Sequence, residues 1–317
     1  MPDTDDFEAK ANPGVLHHYS PNLVAFEHRP NPSAPRPLNT ICWIGGLSDG
    51  LLTVPYPRTI AHALPPTWCL VEILLSSSYT GWGTSSVVQD ANEISDCITY
   101  LRRIRPHGKM VLMGHSTGCQ DTMEYLTGDD AETRPPLDGA ILQAPASDRE
   151  GMLMTMKRED YDFLVDTARR WVAEGKGEDI MPRDMIAETF VDAPCSARRW
   201  LSLASPDKSG DEDFFSSDLA DEQLARTFGR VKPTTPLCVL FGEKDQFVAE
   251  SVDKERLVRR WADAVKRGGG VVDEATFGVV KGASHNLRGD PDAVVDDMVD
   301  RVVSFLSRVD GSREGAV

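Results

Sequence analysis

The chain has 317 residues, of which 40% are hydrophobic and 26% charged, and its formal net charge is −16 at pH 7. These proportions are typical of a globular protein, and the length is sufficient for one large domain or a domain with an insertion. The strong negative charge argues against nucleic acid or an anionic membrane as a partner. No apolar run approaches the ~20 residues that span a bilayer, and the acidic, polar N-terminus is unlike a secretory or transit peptide. We therefore expect a cytoplasmic protein.

The cysteines give no sign of a metal site or a disulfide framework. None belongs to a Cys-x-x-Cys pair, and we expect buried, reduced thiols. The six are Cys42, Cys69, Cys97, Cys119, Cys195 and Cys238. We expect neither a metal nor a cofactor.

Strand and helix signals alternate through the first half of the chain. Residues 22–28 alternate like an antiparallel edge strand, and the later runs are continuously apolar, as in buried strands. The predicted strands are 22–28, 39–46, 67–75, 109–115 and 137–146, and the predicted helices are 58–64, 87–104 and 118–126. This order predicts an α/β fold with a mainly parallel sheet and right-handed crossovers.

The alternation stops at residue 148 and resumes near residue 231. The intervening segment is polar and charged, with helical patterns at 159–173 and 221–230. The strand and helix signals that follow are strands 236–242 and 271–280 and helices 251–267 and 291–309. We predict a core of residues 1–147 and 231–317. Residues 148–230 are predicted to form a helical lid that follows the strand at 137–146, counted as the sixth strand of the fold. A surface excursion with no role at the site is the alternative.

The most informative motif follows the strand at 109–115. It reads Gly114-His-Ser-Thr-Gly118 and precedes a predicted helix. A Gly-x-Ser-x-Gly sequence between a strand and a helix is typical of the nucleophile elbow of α/β-hydrolases. The pattern therefore predicts the α/β-hydrolase fold, with Ser116 as the nucleophile.

Chain order then limits the partners of Ser116. These folds place the acid and then the histidine after the serine, and of the seven histidines only His285 comes after Ser116. Asp245 follows the strand at 236–242 and is the favoured acid. Glu243, two residues earlier, and Asp148 remain alternatives.

A serine hydroxyl is a poor nucleophile at neutral pH. His285 would accept its proton, and Asp245 would orient the imidazole. The oxyanion needs two amide donors, which we predict to be the N–H groups of Thr117 and Leu47, with Gly46 as the fallback. The Gly45–Gly50 stretch that contains Leu47 could equally be a simple tight turn.

Several segments together are similar to a fungal family of α/β-hydrolases named DUF1749. They are residues 45–50, 114–121, 143–150, 213–218 and 282–287, and the resemblance extends over roughly residues 20–308. It implies a lidded fold, the same three catalytic residues, no catalytic metal, and cleavage of ester bonds in a hydroxamate siderophore of the fusarinine C type.

The resemblance also bears on substrate recognition. Fusarinine C is a cyclic triester with free amino groups, so an acidic pocket would suit it. The candidate contacts are Asp49, Asp148 and Asp218, and Trp82 is a candidate for the pocket lining. Structural hydrogen bonding for the acids and a core or surface position for Trp82 are the alternatives.

The sequence thus favours a serine esterase that works through an acyl-enzyme on a small, cationic siderophore. The alternatives are a general carboxylesterase, thioesterase or lactonase, and a hydrolase-fold binding protein that has lost its chemistry. The sequence leaves the oligomeric state open.

Overall fold

The computed structural model describes residues 11–182 and 193–311. Its centre is an eight-stranded sheet with the order β1-β2-β4-β3-β5-β6-β7-β8. The strands are β1 (Gly14–Ser20), β2 (Leu23–His28), β3 (Asn39–Ile44), β4 (Trp68–Ile73), β5 (Met110–His115), β6 (Gly139–Gln143), β7 (Leu237–Gly242) and β8 (Gly278–Val280). The β1–β2 and β2–β4 pairs are antiparallel and the remaining pairs are parallel. The predicted α/β architecture is confirmed.

Two of the strand predictions differ from the structure. β1 was not predicted, because its exposed face leaves no continuous apolar run. The strand expected over 271–280 is confined to β8, and Val272 makes only an isolated bridge to Leu237. A turn interrupts the run, since the N–H groups of Thr276 and Phe277 both donate to the Asp273 carbonyl, at 3.1 and 3.0 Å.

Helices cover both faces of the sheet. They are α1 (Tyr56–Ala63), α2 (Val87–Ile104), α3 (Gly118–Thr127), α4 (Asp148–Thr155), α5 (Arg158–Ala173), α6 (Ala197–Ala204), α7 (Asp221–Arg226), α8 (Lys254–Arg267) and α9 (Asp292–Gly311). Residues of α2, α3 and α8 share one buried cluster with the sheet, and residues of α1 and α9 share another on the opposite face. In the described ranges, no helix has the length and apolar character needed to cross a membrane.

The segment between β6 and β7 is helical and contains α4 to α7. It has a hydrophobic cluster of its own, in which Trp200 and Tyr161 are fully buried. Trp82, from the short 3-10 turn Gly81–Thr84, belongs to the same cluster, and the Ser196 N–H donates to the Gly83 carbonyl at 2.8 Å. These contacts attach the insertion to the sheet domain. Of the predicted insertion 148–230, residues 183–192 lie outside the described residues.

Candidate active site

The elbow lies at the carboxyl end of β5, near the middle of the sheet. Ser116 has φ of +53°, in the left-handed region that a non-glycine residue rarely occupies. A Cβ on Gly114 would lie 2.1 Å from the Gly118 carbonyl oxygen, and one on Gly118 would lie 2.5 Å from the Ile44 oxygen. The turn therefore requires glycine at both positions, and it presents a partly exposed Ser116 side chain at the strand end.

Asp245 and His285 are brought together from the loops after β7 and β8. The His285 Nδ1 and the Asp245 Oδ2 are 2.8 Å apart, and both side chains are buried. The Phe247 N–H donates to Asp245 Oδ1 at 3.0 Å, and the Gln246 side chain accepts the His285 N–H at 3.1 Å. A carboxylate at Nδ1 stabilises the tautomer that leaves Nε2 free to accept a proton.

The two rival acids have other partners. Glu243 accepts the Gly282 N–H at 2.8 Å and pairs with Lys281 at 3.2 Å. Asp148 accepts a hydrogen bond from the Gln120 amide at 2.6 Å. The geometry therefore favours Asp245 as the partner of His285.

A buried set of side chains, here called the Gln143 network, lies behind His285. Its members are Trp43, Tyr56, His115 and Gln143. Trp43 Nε1 donates to the Tyr56 hydroxyl at 3.0 Å, which in turn donates to Gln143 Oε1 at 2.9 Å. Gln143 Nε2 donates to the His285 carbonyl at 3.1 Å. The network thus links the end of β6 to the backbone of His285.

His115 completes this network. Its Nδ1 is 2.5 Å from Gln143 Oε1, and its ring lies 5.1 Å from the His285 ring, centroid to centroid. Burial, with a smaller contribution from His285, lowers the pKa of His115 to about 4. His115 is therefore neutral at pH 7 and donates to Gln143, so the network carries no charge beside His285.

The predicted oxyanion donors line one cleft between the elbow and the insertion. The Gly46 N–H already donates to Asp49 Oδ2 at 2.9 Å, so the fallback donor is engaged. In the part of the chain that the structure describes, the N–H groups of Leu47 and Thr117 have no protein acceptor. Both residues line the cleft. The arrangement favours Leu47 and Thr117 as the donors.

The four candidate substrate contacts occupy different environments. Asp49 accepts hydrogen bonds from Gly46 and from Thr53 and lines the cleft. Trp82 lines the same cleft but is 2% exposed. Asp148 is held by Gln120 and is outside the cleft lining. Asp218 pairs with Arg149 and, at 3.3 Å, with Lys208. Only Asp49 and Trp82 thus border the cleft.

Sequence reasoning missed a second polar group, here called the acidic cluster. It consists of Asp90, Asp121, Asp148 and Glu212 with Arg199. Burial raises the pKa of Asp90 and of Asp148 to about 7, and that of Asp121 well above its usual range. The helical period on α3 could have placed Asp121 on the Thr117 side, but nothing in the sequence indicates that these carboxyls are buried together.

The six cysteines are all free and buried, as expected. Burial raises the pKa of Cys119, one turn after the elbow, well above its ordinary value, so the thiol is protonated at pH 7. Among the described residues, no three His, Cys, Asp or Glu side chains are arranged to hold a metal ion.

Comparison with known proteins gives one family and several relatives. The model of the family described as "Protein of unknown function (DUF1749)" matches residues 7–307. The fusarinine C esterase sidJ of Aspergillus fumigatus is 36% identical, over 93% of this chain and 96% of that protein. The solved siderophore hydrolase EstB, also from Aspergillus fumigatus, is 36% identical with a TM-score of 0.84, covering 96% of this chain and 99% of that one.

A more distant structure bears on the fold alone. It is described as an α/β-hydrolase fold protein of unknown function, and it is 20% identical with a TM-score of 0.65. The alignment covers 97% of this chain and 99% of that one. The α/β-hydrolase fold expected from the elbow motif is confirmed.

Proposed function

The chain belongs to the DUF1749 family, and from this premise we propose that it is a serine esterase that hydrolyses the ester bonds of a hydroxamate siderophore of the fusarinine C type. The observations that carry the proposal are the buried Asp245–His285 hydrogen bond of 2.8 Å and the strained elbow residue Ser116. The esterase and siderophore hydrolase among the relatives support the same substrate class.

The chemistry proceeds in two steps. His285 Nε2 takes the Ser116 proton as Oγ attacks the ester carbonyl carbon, and the carbonyl oxygen becomes an oxyanion that the Leu47 and Thr117 N–H groups stabilise. The ester C–O bond then breaks, and His285 returns the proton to the departing alcohol. Water, activated by the same histidine, cleaves the acyl-enzyme to the acid and free Ser116.

The insertion would exclude water from the acyl-enzyme and shape the pocket. Its helices pack against Trp82, which borders the cleft with Leu47. The cleft holds about 20 Å³ of free volume, and one water already needs about 10–15 Å³. A siderophore is far larger, so we propose that residues 148–230 act as a lid that opens to admit substrate. Cytoplasmic location and a cationic substrate belong to the same proposal.

The test is a mass-spectrometric assay of the purified protein with fusarinine C. We expect the linear ester-cleavage products from the wild type and a loss of roughly 10⁴-fold or more in Ser116→Ala, since the whole acyl-enzyme route is removed. Ser307→Ala, the same change at an exposed residue of α9, should retain full activity.

Rates on a short-chain aryl ester separate the alternatives. Cleavage of the aryl ester without cleavage of fusarinine C would point to a general carboxylesterase, and a parallel assay with thioesters and lactones would identify those activities. If Ser116→Ala retained full ester hydrolysis, the assignment of the nucleophile would be wrong. Failure of a fluorophosphonate to label Ser116 would favour a binding protein without chemistry.

A further inference from the structure

The cleft beside the elbow contains a carboxyl group with an unused acceptor. Asp121 is 4% exposed and lines the cleft, and its buried Oδ1 has no hydrogen-bond partner among the described residues. A buried acceptor left unpaired costs about 1–3 kcal/mol, more when the group is charged. A ligand bound beside the proposed oxyanion donors would remove this cost if it donated a hydrogen bond to Asp121 Oδ1.

Asp121 is surrounded by more carboxyl groups than the single guanidinium of Arg199 can neutralise. Arg199 pairs with Glu212 in a buried contact. Asp90 is 2% exposed and also lines the cleft, and its Oδ1 accepts a hydrogen bond from the Ser85 hydroxyl at 2.9 Å. Arg199 also lines the cleft, and this one guanidinium faces the carboxyls of Glu212, Asp90, Asp121 and Asp148.

The position of Asp121 relative to the oxyanion donors follows from the helix. The Asp121 N–H donates to the Thr117 carbonyl at 3.2 Å, so the two residues are one turn apart on the same face of α3. Four residues of α-helix rise about 6 Å. A substrate whose carbonyl oxygen is bound at Thr117 therefore reaches Asp121 with a short aliphatic chain.

We propose that Asp121, supported by Asp90, forms a binding subsite for a primary ammonium group of the substrate, in the same cleft as the oxyanion donors. This inference rests on the esterase proposed above and deepens it. A primary ammonium is close to a water molecule in size and donates three hydrogen bonds, which suits the 20 Å³ of free volume and the acceptors of the cleft.

The competing interpretation is that Asp121 is a permanently protonated acid with a purely structural role. Burial, with the nearby Asp90 and Glu212, raises the pKa of Asp121 well above its usual range. In the empty cleft the acid is therefore neutral, and a bound ammonium would favour its ionised form. Asparagine has the shape of the neutral acid but cannot ionise, so Asp121→Asn separates the two interpretations.

The experiment compares two nitrophenyl esters at mildly alkaline pH, one of ε-aminocaproic acid and one of its N-acetyl derivative. The two differ in whether the chain ends in an ammonium or a neutral amide. We expect the wild-type kcat/KM to be roughly tenfold or more higher for the ammonium ester, because a charge-assisted hydrogen bond to Asp121 is stronger than a hydrogen bond between neutral groups. Asp121→Asn should abolish this preference by lowering kcat/KM for the ammonium ester alone, and Asp90→Asn should reduce it by less.

Asp96→Asn is the matched control, because it removes one carboxylate from the exposed face of α2. It should leave the preference unchanged. Cleavage of the acetyl ester by each variant shows that the protein is folded and that Ser116 works. An unchanged preference in Asp121→Asn, or an equal loss on both esters, overturns the subsite while the esterase stands. A wild type that cleaves fusarinine C but neither nitrophenyl ester overturns the subsite alone, and one that cleaves none of the three overturns the proposed esterase as well.

Discussion

The Gln143 network and the acidic cluster are both buried polar groups next to the proposed triad, yet they are built differently. Every hydrogen bond of the network joins neutral groups, and Gln143 bonds to Tyr56, His115 and His285. The acidic cluster places four carboxyls around Arg199, and within residues 11–182 and 193–311 nothing hydrogen-bonds to Asp121 Oδ1 or Glu212 Oε2.

The difference indicates two kinds of task. A satisfied, neutral network resists movement and holds a backbone in place, because any shift would break several hydrogen bonds at once. An unsatisfied, ionisable cluster stores unfavourable free energy that a proton or a ligand can relieve. We therefore expect changes on the network side to act on the chemistry and the fold, and changes in the acidic cluster to act on ligand preference and pH dependence.

The largest expected effect concerns Asp245, the proposed acid, which hydrogen-bonds to the same histidine whose carbonyl the Gln143 network binds. Asp245→Asn should lower kcat on an aryl ester by roughly 10⁴-fold, because an amide at this position stabilises the wrong imidazole tautomer. Steady-state kinetics would measure the loss. Glu243→Gln, two residues earlier, should retain wild-type kcat. A comparable loss in Glu243→Gln would instead make Glu243 the acid.

An intermediate effect is expected from Gln143→Leu. This change removes the acceptor of the Tyr56 O–H and of the His115 N–H and the donor to the His285 carbonyl, and we expect a loss of about 3 kcal/mol in the free energy of unfolding. Because His285 loses its backbone anchor, kcat should also fall roughly tenfold with KM unchanged. Urea unfolding and steady-state kinetics measure the two effects.

Tyr56→Phe provides a graded comparison, because it removes the two hydrogen bonds of the Tyr56 hydroxyl and keeps the ring. It should cost about 2 kcal/mol of stability and leave kcat close to wild type. If Gln143→Leu unfolds more easily but keeps full kcat, the network stabilises the fold without positioning His285.

The smallest effect concerns pH and the acidic cluster. The folded-state pKa values of Asp90 and Asp148 are raised to about 7, against about 3.9 in an unfolded chain. Protonation of these acids therefore stabilises the folded state at low pH, and this contribution is lost as the pH rises through about 7. Glu212, Asp213 and Arg199 face Asp148 and contribute to its electrostatic environment.

Asp148→Asn should remove part of this pH dependence. We expect the wild type to lose about 1.4 kcal/mol of stability per carboxyl between about pH 6 and about pH 8, and the variant to lose less. Urea midpoints at the two pH values measure the difference. Asp218→Asn, at a half-exposed carboxyl outside the cluster, should leave the pH dependence as in the wild type. Equal slopes in the wild type and Asp148→Asn would contradict the raised pKa of Asp148.

The triad candidates were accessible from the sequence because each depends on local signals. The elbow requires glycine at 114 and 118 for steric reasons, and His285 follows from chain order alone. The bounds of β8 were not accessible, because the turn at Asp273 interrupts an apolar run that reads as continuous. Asp218 illustrates a further limit, since its ion pairs with Arg149 and Lys208 depend on how the insertion folds.

The sequence by itself determined the fold class and the elbow, and it favoured Ser116, Asp245 and His285 as the triad, because apolar periodicity, glycine sterics and chain order can be read directly from it. Only the tertiary structure decided that Gly46 is engaged by Asp49, that Gln143 anchors His285, and that Asp90 and Asp121 share a buried cleft. The physical reason is that burial and pairing determine what a polar group can do. Both depend on residues far apart in the chain, which only folding brings together.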